Sequence, residues 1–100
     1  MSDKERLMNL LGLAQRAGKT ETGTDFVLTA IQQQKARLVI IASDASANLS
    51  KKINDKGNFY KVQVASPITG AELSTAVGHK RSVIAIMDPG FAKAIAKLLQ

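Results

Sequence analysis

The sequence predicts an α/β protein, a three-layer α/β/α sandwich around a small four-stranded sheet that is largely parallel or mixed. Three observations predict it. Leu38-Val39-Ile40-Ile41-Ala42 and Val83-Ile84-Ala85-Ile86-Met87 are apolar at every position, as strands covered on both faces are. From Leu38 onward such stretches alternate with amphipathic segments that carry cap residues. The chain has 100 residues, 45% of them apolar, which suits one core and not two, so residues 1–100 are expected to form a single domain.

Ser2-x-x-Glu5 has the form of a capping box, in which hydroxyl and carboxylate satisfy free amides at a helix start. A helix over about 3–17 follows, with Leu7, Leu10, Leu11, Ala14 and Ala17 on one face and Gly18 as its left-handed stop. Lys19-Thr20-Glu21-Thr22 fits either a brief strand or a plain connection. Thr22-Gly23-Thr24-Asp25 offers the next N-cap, and Phe26, Val27, Ala30 and Ile31 give the buried face of a second helix ending near Gln34. After the strand at Leu38, Ser43-Asp44-Ala45-Ser46 turns the chain into a third helix with Leu49 and Ile53 inward, closed by Gly57. Tyr60-Lys61-Val62-Gln63-Val64 alternates, the pattern of a strand with one wetter face near an edge. Ser66-Pro67 breaks it. Thr69-x-x-Glu72 caps a short fourth helix bearing Leu73, Ala76 and Val77, which Gly78 stops. Beyond the strand at Val83, Asp88-Pro89-Gly90 caps a last helix lined by Phe91, Ile95, Leu98 and Leu99.

Composition narrows the function. With no Cys, a disulfide framework, a thiolate zinc site and a cysteine nucleophile are excluded, and a cytoplasmic protein is expected. The longest apolar runs are five residues, against the ~20 a membrane-spanning helix needs, and the charged start, Met1 to Arg6, lacks a signal-peptide pattern. Fourteen Lys and Arg against eight Asp and Glu give a net charge of +6 and a pI near 9.9, which points to an anionic partner. Residues 1–50 carry six basic and five acidic groups and residues 51–100 eight and three, so the second half is expected to face that partner more strongly.

Catalytic chemistry is poorly supported. Gly18-Lys19-Thr20 resembles the end of a phosphate-binding loop, but that loop needs glycine where Leu13 stands, and a helix rather than a strand precedes it. The single His79 has no local partner, and Asp25, Asp44, Glu72 and Asp88 all fall at helix or turn starts, where capping explains them. Asp44 and Asp88 do follow the two central strands, the edge at which a parallel α/β sheet holds its active site, so an enzyme would need a pocket there. No catalytic residue, metal ligand or cofactor is assigned.

Two loops carry a more specific signal. Thr22-Gly23-Thr24-Asp25 delivers a helix N-terminus, whose free amides and dipole attract phosphate. Gly78-His79-Lys80-Arg81-Ser82 sets two cations and a histidine between a helix and a strand, with no carboxylate among them. Together they would clamp an RNA backbone, with Gly23 allowing close approach. Only four aromatics, Phe26, Phe59, Tyr60 and Phe91, make recognition of folded RNA by shape a better fit than stacking along single strands.

The sequence resembles the kink-turn RNA-binding ribosomal proteins of the large subunit, including their small bacterial YlxQ-type relatives. The likeness runs through Gly18-Lys19, Gly23-Thr24-Asp25, Lys35 to Asp44, Leu73 to Gly78 and Ile86-Met87-Asp88-Pro89-Gly90, and covers nearly the whole chain. It implies an α/β/α sandwich that binds sharply bent RNA at tandem sheared G·A pairs. The implied contacts are the turn opening the second helix and the loop before the last strand. The family motif there reads Gly-x-Asn-Glu-x-x-Lys; Gly23 matches, whereas Asp25, Phe26 and Thr29 replace the Asn, Glu and Lys. Asp only accepts hydrogen bonds and repels phosphate, and Thr29 removes a cation.

The expected function is therefore a non-catalytic, monomeric RNA-binding protein of ribosomal or ribosome-associated type, with kink-turn or ribosomal RNA as partner. Its expected contacts are Thr22, Gly23, Thr24, Asp25, Phe26 and Thr29 at the helix start, then Gly78, His79, Lys80, Arg81 and Ser82 in the basic loop, with Lys19 and Arg37 as adjoining charge. The alternative is a protein or small-ligand interaction domain that kept the scaffold and lost RNA reading; an exposed Phe26 would favour it.

Overall fold

The computed structural model describes residues 1–100. In order, the elements are α1 (Asp3–Arg16), β1 (Thr20–Thr22), α2 (Thr24–Gln32), β2 (Leu38–Ile41), α3 (Ala47–Tyr60), β3 (Val64–Ala65), α4 (Gly70–Val77), β4 (Val83–Ile86) and α5 (Pro89–Lys97). No helix is long and apolar enough to cross a membrane.

The sheet order is β1-β4-β2-β3, with the two wholly apolar strands at its centre. Side chains alternate across a strand, so each central strand supplies both cores. Leu38, Ile40, Ile84 and Ile86 meet Leu7, Leu11, Leu73, Val77, Ala92 and Ile95 of α1, α4 and α5 on one face. Val39, Ile41, Val83 and Ala85 meet Val27, Ala30, Ile31 and Ile53 of α2 and α3 on the other. The result is the expected three-layer sandwich.

Of the two sheet arrangements the sequence left open, the mixed one is found. β2 pairs with β3 in parallel, but β4 lies antiparallel between β1 and β2, with Thr22 opposite Ile84 and Ile41 opposite Val83. A strand buried on both faces has the same composition in either direction, so nothing in its residues encodes this. The brief strand at Thr20–Thr22 does form, and β4 pairs with it.

Capping follows the sequence at most ends. Ser2 with Glu5 and Thr69 with Glu72 form capping boxes, and Ser46 and Asp88 accept from the amides of Leu49 and Phe91. Gly18 and Gly78 take left-handed φ of 71° and 80° at helix ends.

Two expectations fail around residue 57. Gly57 does not close the third helix, which continues to Tyr60, with Lys61 in the left-handed conformation at its end. Consequently Tyr60 is helical, and the edge strand shrinks from Tyr60–Val64 to Val64–Ala65. The alternation read there is real as packing, since Tyr60, Val62 and Val64 all lean on the α2/α3 core.

Candidate nucleic-acid interface

The antiparallel pairing of β1 with β4 builds the site. A chain leaving β1 at Thr22 must meet the chain entering β4 at Val83, so the turn opening α2 and the loop 78–82 emerge side by side. Between them lies an open groove of about 500 Å³. Thr22, Gly23, Thr24 and Phe26 form one wall and Lys80, Arg81, Ser82 and Val83 the other, and Leu49 of α3 also lines it.

On the first wall, Gly23 has φ +90°, a conformation L side chains rarely adopt, and it stands at the N-cap without a side chain to close the helix. The other four helices all have a side-chain cap. The first helical hydrogen bond runs from the Val27 amide to the Gly23 carbonyl at 2.9 Å, which leaves the preceding amides of α2 for an external acceptor. Phe26 is 66% exposed although it sits among helix residues that supply the core. The sequence assigned it to the buried face; the structure turns it outward into the groove, and Val27, Ala30 and Ile31 carry the packing.

The second wall is held from behind. The Arg81 amide donates to Ser74 Oγ at 2.9 Å, and that hydroxyl donates to the Arg81 carbonyl at 3.3 Å, so one side chain of α4 fixes both backbone groups of the residue. The Ala42 amide donates to the Ser82 carbonyl at 2.8 Å, tying the loop to the end of β2. Arg81 Nη1 turns back to the Lys80 carbonyl at 2.8 Å, which stiffens the guanidinium. Neither Lys80 nor Arg81 joins any of the three ion pairs of the molecule, and no carboxylate lines the groove, so two cations stand without an ion-pair partner beside free helix amides; the nearest carboxylates are Asp44, which shares an adjoining concavity with both cations, and Asp25 in the first turn of α2.

The other predicted contacts are placed differently. Asp25 and Thr29 are exposed on α2 outside the groove, His79 is exposed outside it, and Gly78 serves as the helix stop. Lys19 and Arg37 do not adjoin the groove. The Met87 amide donates to the Lys19 carbonyl and the Arg37 amide to the Ile86 carbonyl, which puts both at the far end of β4, roughly 20 Å from Arg81 at ~3.4 Å per residue. Asp44 and Asp88 also fail to share a pocket, because β2 and β4 run antiparallel and deliver them to opposite ends of the sheet. Asp44 Oδ1 accepts from the Gly70 amide at 2.8 Å, and Asp88 caps α5. Ser74 and Leu49 went unassigned from the sequence. A serine within a helix and a leucine of apparent core spacing carry no local sign of bordering a ligand site.

A sandwich with this sheet order and a basic groove at one end defines an α/β/α class with known members. The profile of the Ribosomal protein L7Ae/L30e/S12e/Gadd45 family matches residues 5–96. The chain belongs to that family. It is 40% identical to the RNA-binding protein YlxQ of Enterococcus faecium over 98% of its length and 95% of the relative's. It is 43% identical to the RNA-binding protein YlxQ of Bacillus subtilis (strain 168) over 90% of this chain and 91% of that one. Among solved structures, a Bacillus halodurans protein described as of unknown function superposes with a TM-score of 0.90 at 38% identity, covering 94% of this chain and 96% of that one. A Giardia lamblia 15.5kD RNA binding protein shares the fold at a TM-score of 0.73 and 23% identity, covering 97% of this chain and 84% of that one.

Proposed function

We propose that the protein is a non-catalytic RNA-binding protein that docks a sharply bent, structured RNA of kink-turn type in the groove between the Gly23 turn and the Lys80-Arg81 loop. The observation that carries the reading is the convergence of an uncapped helix start and two unpaired cations on one carboxylate-free groove. The names of the two YlxQ relatives support RNA as the ligand class. Lys80 and Arg81 hold phosphates, the free amides of α2 take a phosphate or a base-edge acceptor, and Gly23 leaves room for the strand. Phe26 offers a ring to a base turned out at the bend. Lys19 and Arg37, at the far end of the sheet, have no part in this docking. The protein acts as a single copy in the cytoplasm, in association with the ribosome or another structured RNA.

The second reading, a protein or small-ligand interaction domain, draws on the exposure of Phe26 at the same edge. One titration separates the two: a kink-turn RNA against the same RNA with its tandem G·A pairs replaced. Selective binding of the first is the expected result. Equal weak binding to both would reduce the groove to general charge attraction, and binding to neither would favour the interaction domain.

A further inference from the structure

We propose that the outer face of α3 is a second, separate contact for RNA, one that takes an unpaired nucleotide. Lys52, Lys56, Phe59 and Tyr60 recur at helical spacing and share one face. With Asp55 they line a shallow concavity of about 470 Å³ that includes none of the groove residues. Phe59 is 76% exposed, the most exposed large apolar side chain of the molecule. Its ring stands edge-on to that of Tyr60, centroids 4.8 Å apart and planes at 69°, and Tyr60 leans on the α2/α3 core, so the exposed ring has a backing. Lys52 and Lys56 make no ion pair, whereas the single carboxylate of the concavity, Asp55, is engaged by Lys51 at 3.1 Å.

An aromatic face beside two unpaired ammonium groups is chemistry for one base and its phosphates. A duplex would hide its bases from Phe59, which selects a single strand. Leu49 borders the groove and Phe59 follows ten residues later on the same helix, about 15 Å at 1.5 Å per residue. A single-stranded flank of an RNA held in the groove reaches that far. The ligand class rests on the RNA reading of the groove, but the test does not depend on the groove.

Tyr60 is the sole tyrosine, so protein made with 3-fluorotyrosine gives one fluorine resonance at the site. Titration of the full chain with a short single-stranded oligouridylate should shift that resonance saturably. Phe59→Ala, at a side chain too exposed to hold the fold together, should weaken the binding about tenfold, as loss of one stacked base does. Lys52→Gln with Lys56→Gln should lower its salt dependence. A Tyr60 resonance that does not move, or an affinity indifferent to Phe59→Ala, would overturn the proposal.

Discussion

A methyl group on residue 57 would lie 2.6 Å from Val64 Cγ2 and 3.0 Å from the Val62 carbonyl oxygen. Gly57 is therefore a contact glycine, buried where α3 crosses the edge strand, and Gly57→Ala is expected to destabilise the protein by about 1–3 kcal/mol through overpacking. Denaturant unfolding measures it; an unchanged midpoint would mean that Val64 moves aside without cost. The same residue shows where sequence reading stops. Glycine after an amphipathic run is the usual helix stop, and Gly18 and Gly78 follow that rule. At 57 the identity of the residue answers to a neighbour seven positions on, and the left-handed stop falls instead on Lys61, a residue with no preference for it. Phe26 is a parallel case: its spacing matches the core face of α2, but the helix begins so close to the groove that the ring meets no partner layer.

Elements are joined by polar fasteners that can be tested singly. α4 carries two. At its start Glu72 accepts from the Thr69 amide at 2.9 Å and pairs with Lys4 of α1. The Lys4 ammonium first, and the Thr69 amide second, hold the Glu72 carboxyl below its usual value. A carboxyl depressed in the folded state contributes stability that is present at neutral pH and lost as pH falls through its folded pKa. Glu72→Gln keeps a capping side chain and removes the charge. The stability gap between wild type and this variant should be open at pH 7 and close as pH drops below the carboxylate range; a gap that stays constant with pH would contradict the assignment. In the middle of α4, Ser74 clamps Arg81, so Ser74→Ala should weaken binding of structured RNA about fivefold, the loss of roughly one hydrogen bond's worth of order. Unchanged affinity in a titration would show that the loop holds its shape unaided. Both capping boxes were legible because their partners lie three residues apart. The Ser74 clamp spans seven residues and a turn, and nothing local announces it. Strand direction was hidden for a related reason, since burial patterns tell which faces are covered and not which way the chain runs.

For the whole molecule, the layering was legible from periodicity, and the site was legible in part. The two loops that define the groove stood out by glycine and by charge, and the antiparallel β1/β4 pair brings them together. The same β1/β4 pair sends Lys19 to the other end and the antiparallel β2/β4 pair sends Arg37 there, a separation no composition could reveal. The charge of +6 is spread over several faces, so general attraction to nucleic acid is expected of any surface lysine; the specific claim is that the groove holds phosphates. Counterion release distinguishes the two. The most direct measurement is the affinity for kink-turn RNA across a range of salt concentrations, for wild type and for Lys80→Gln with Arg81→Gln. Two lost phosphate contacts should reduce the steepness of log affinity against log salt by about 1.5–2 and weaken binding throughout. An unchanged slope and affinity in the double variant would place the RNA elsewhere on the molecule.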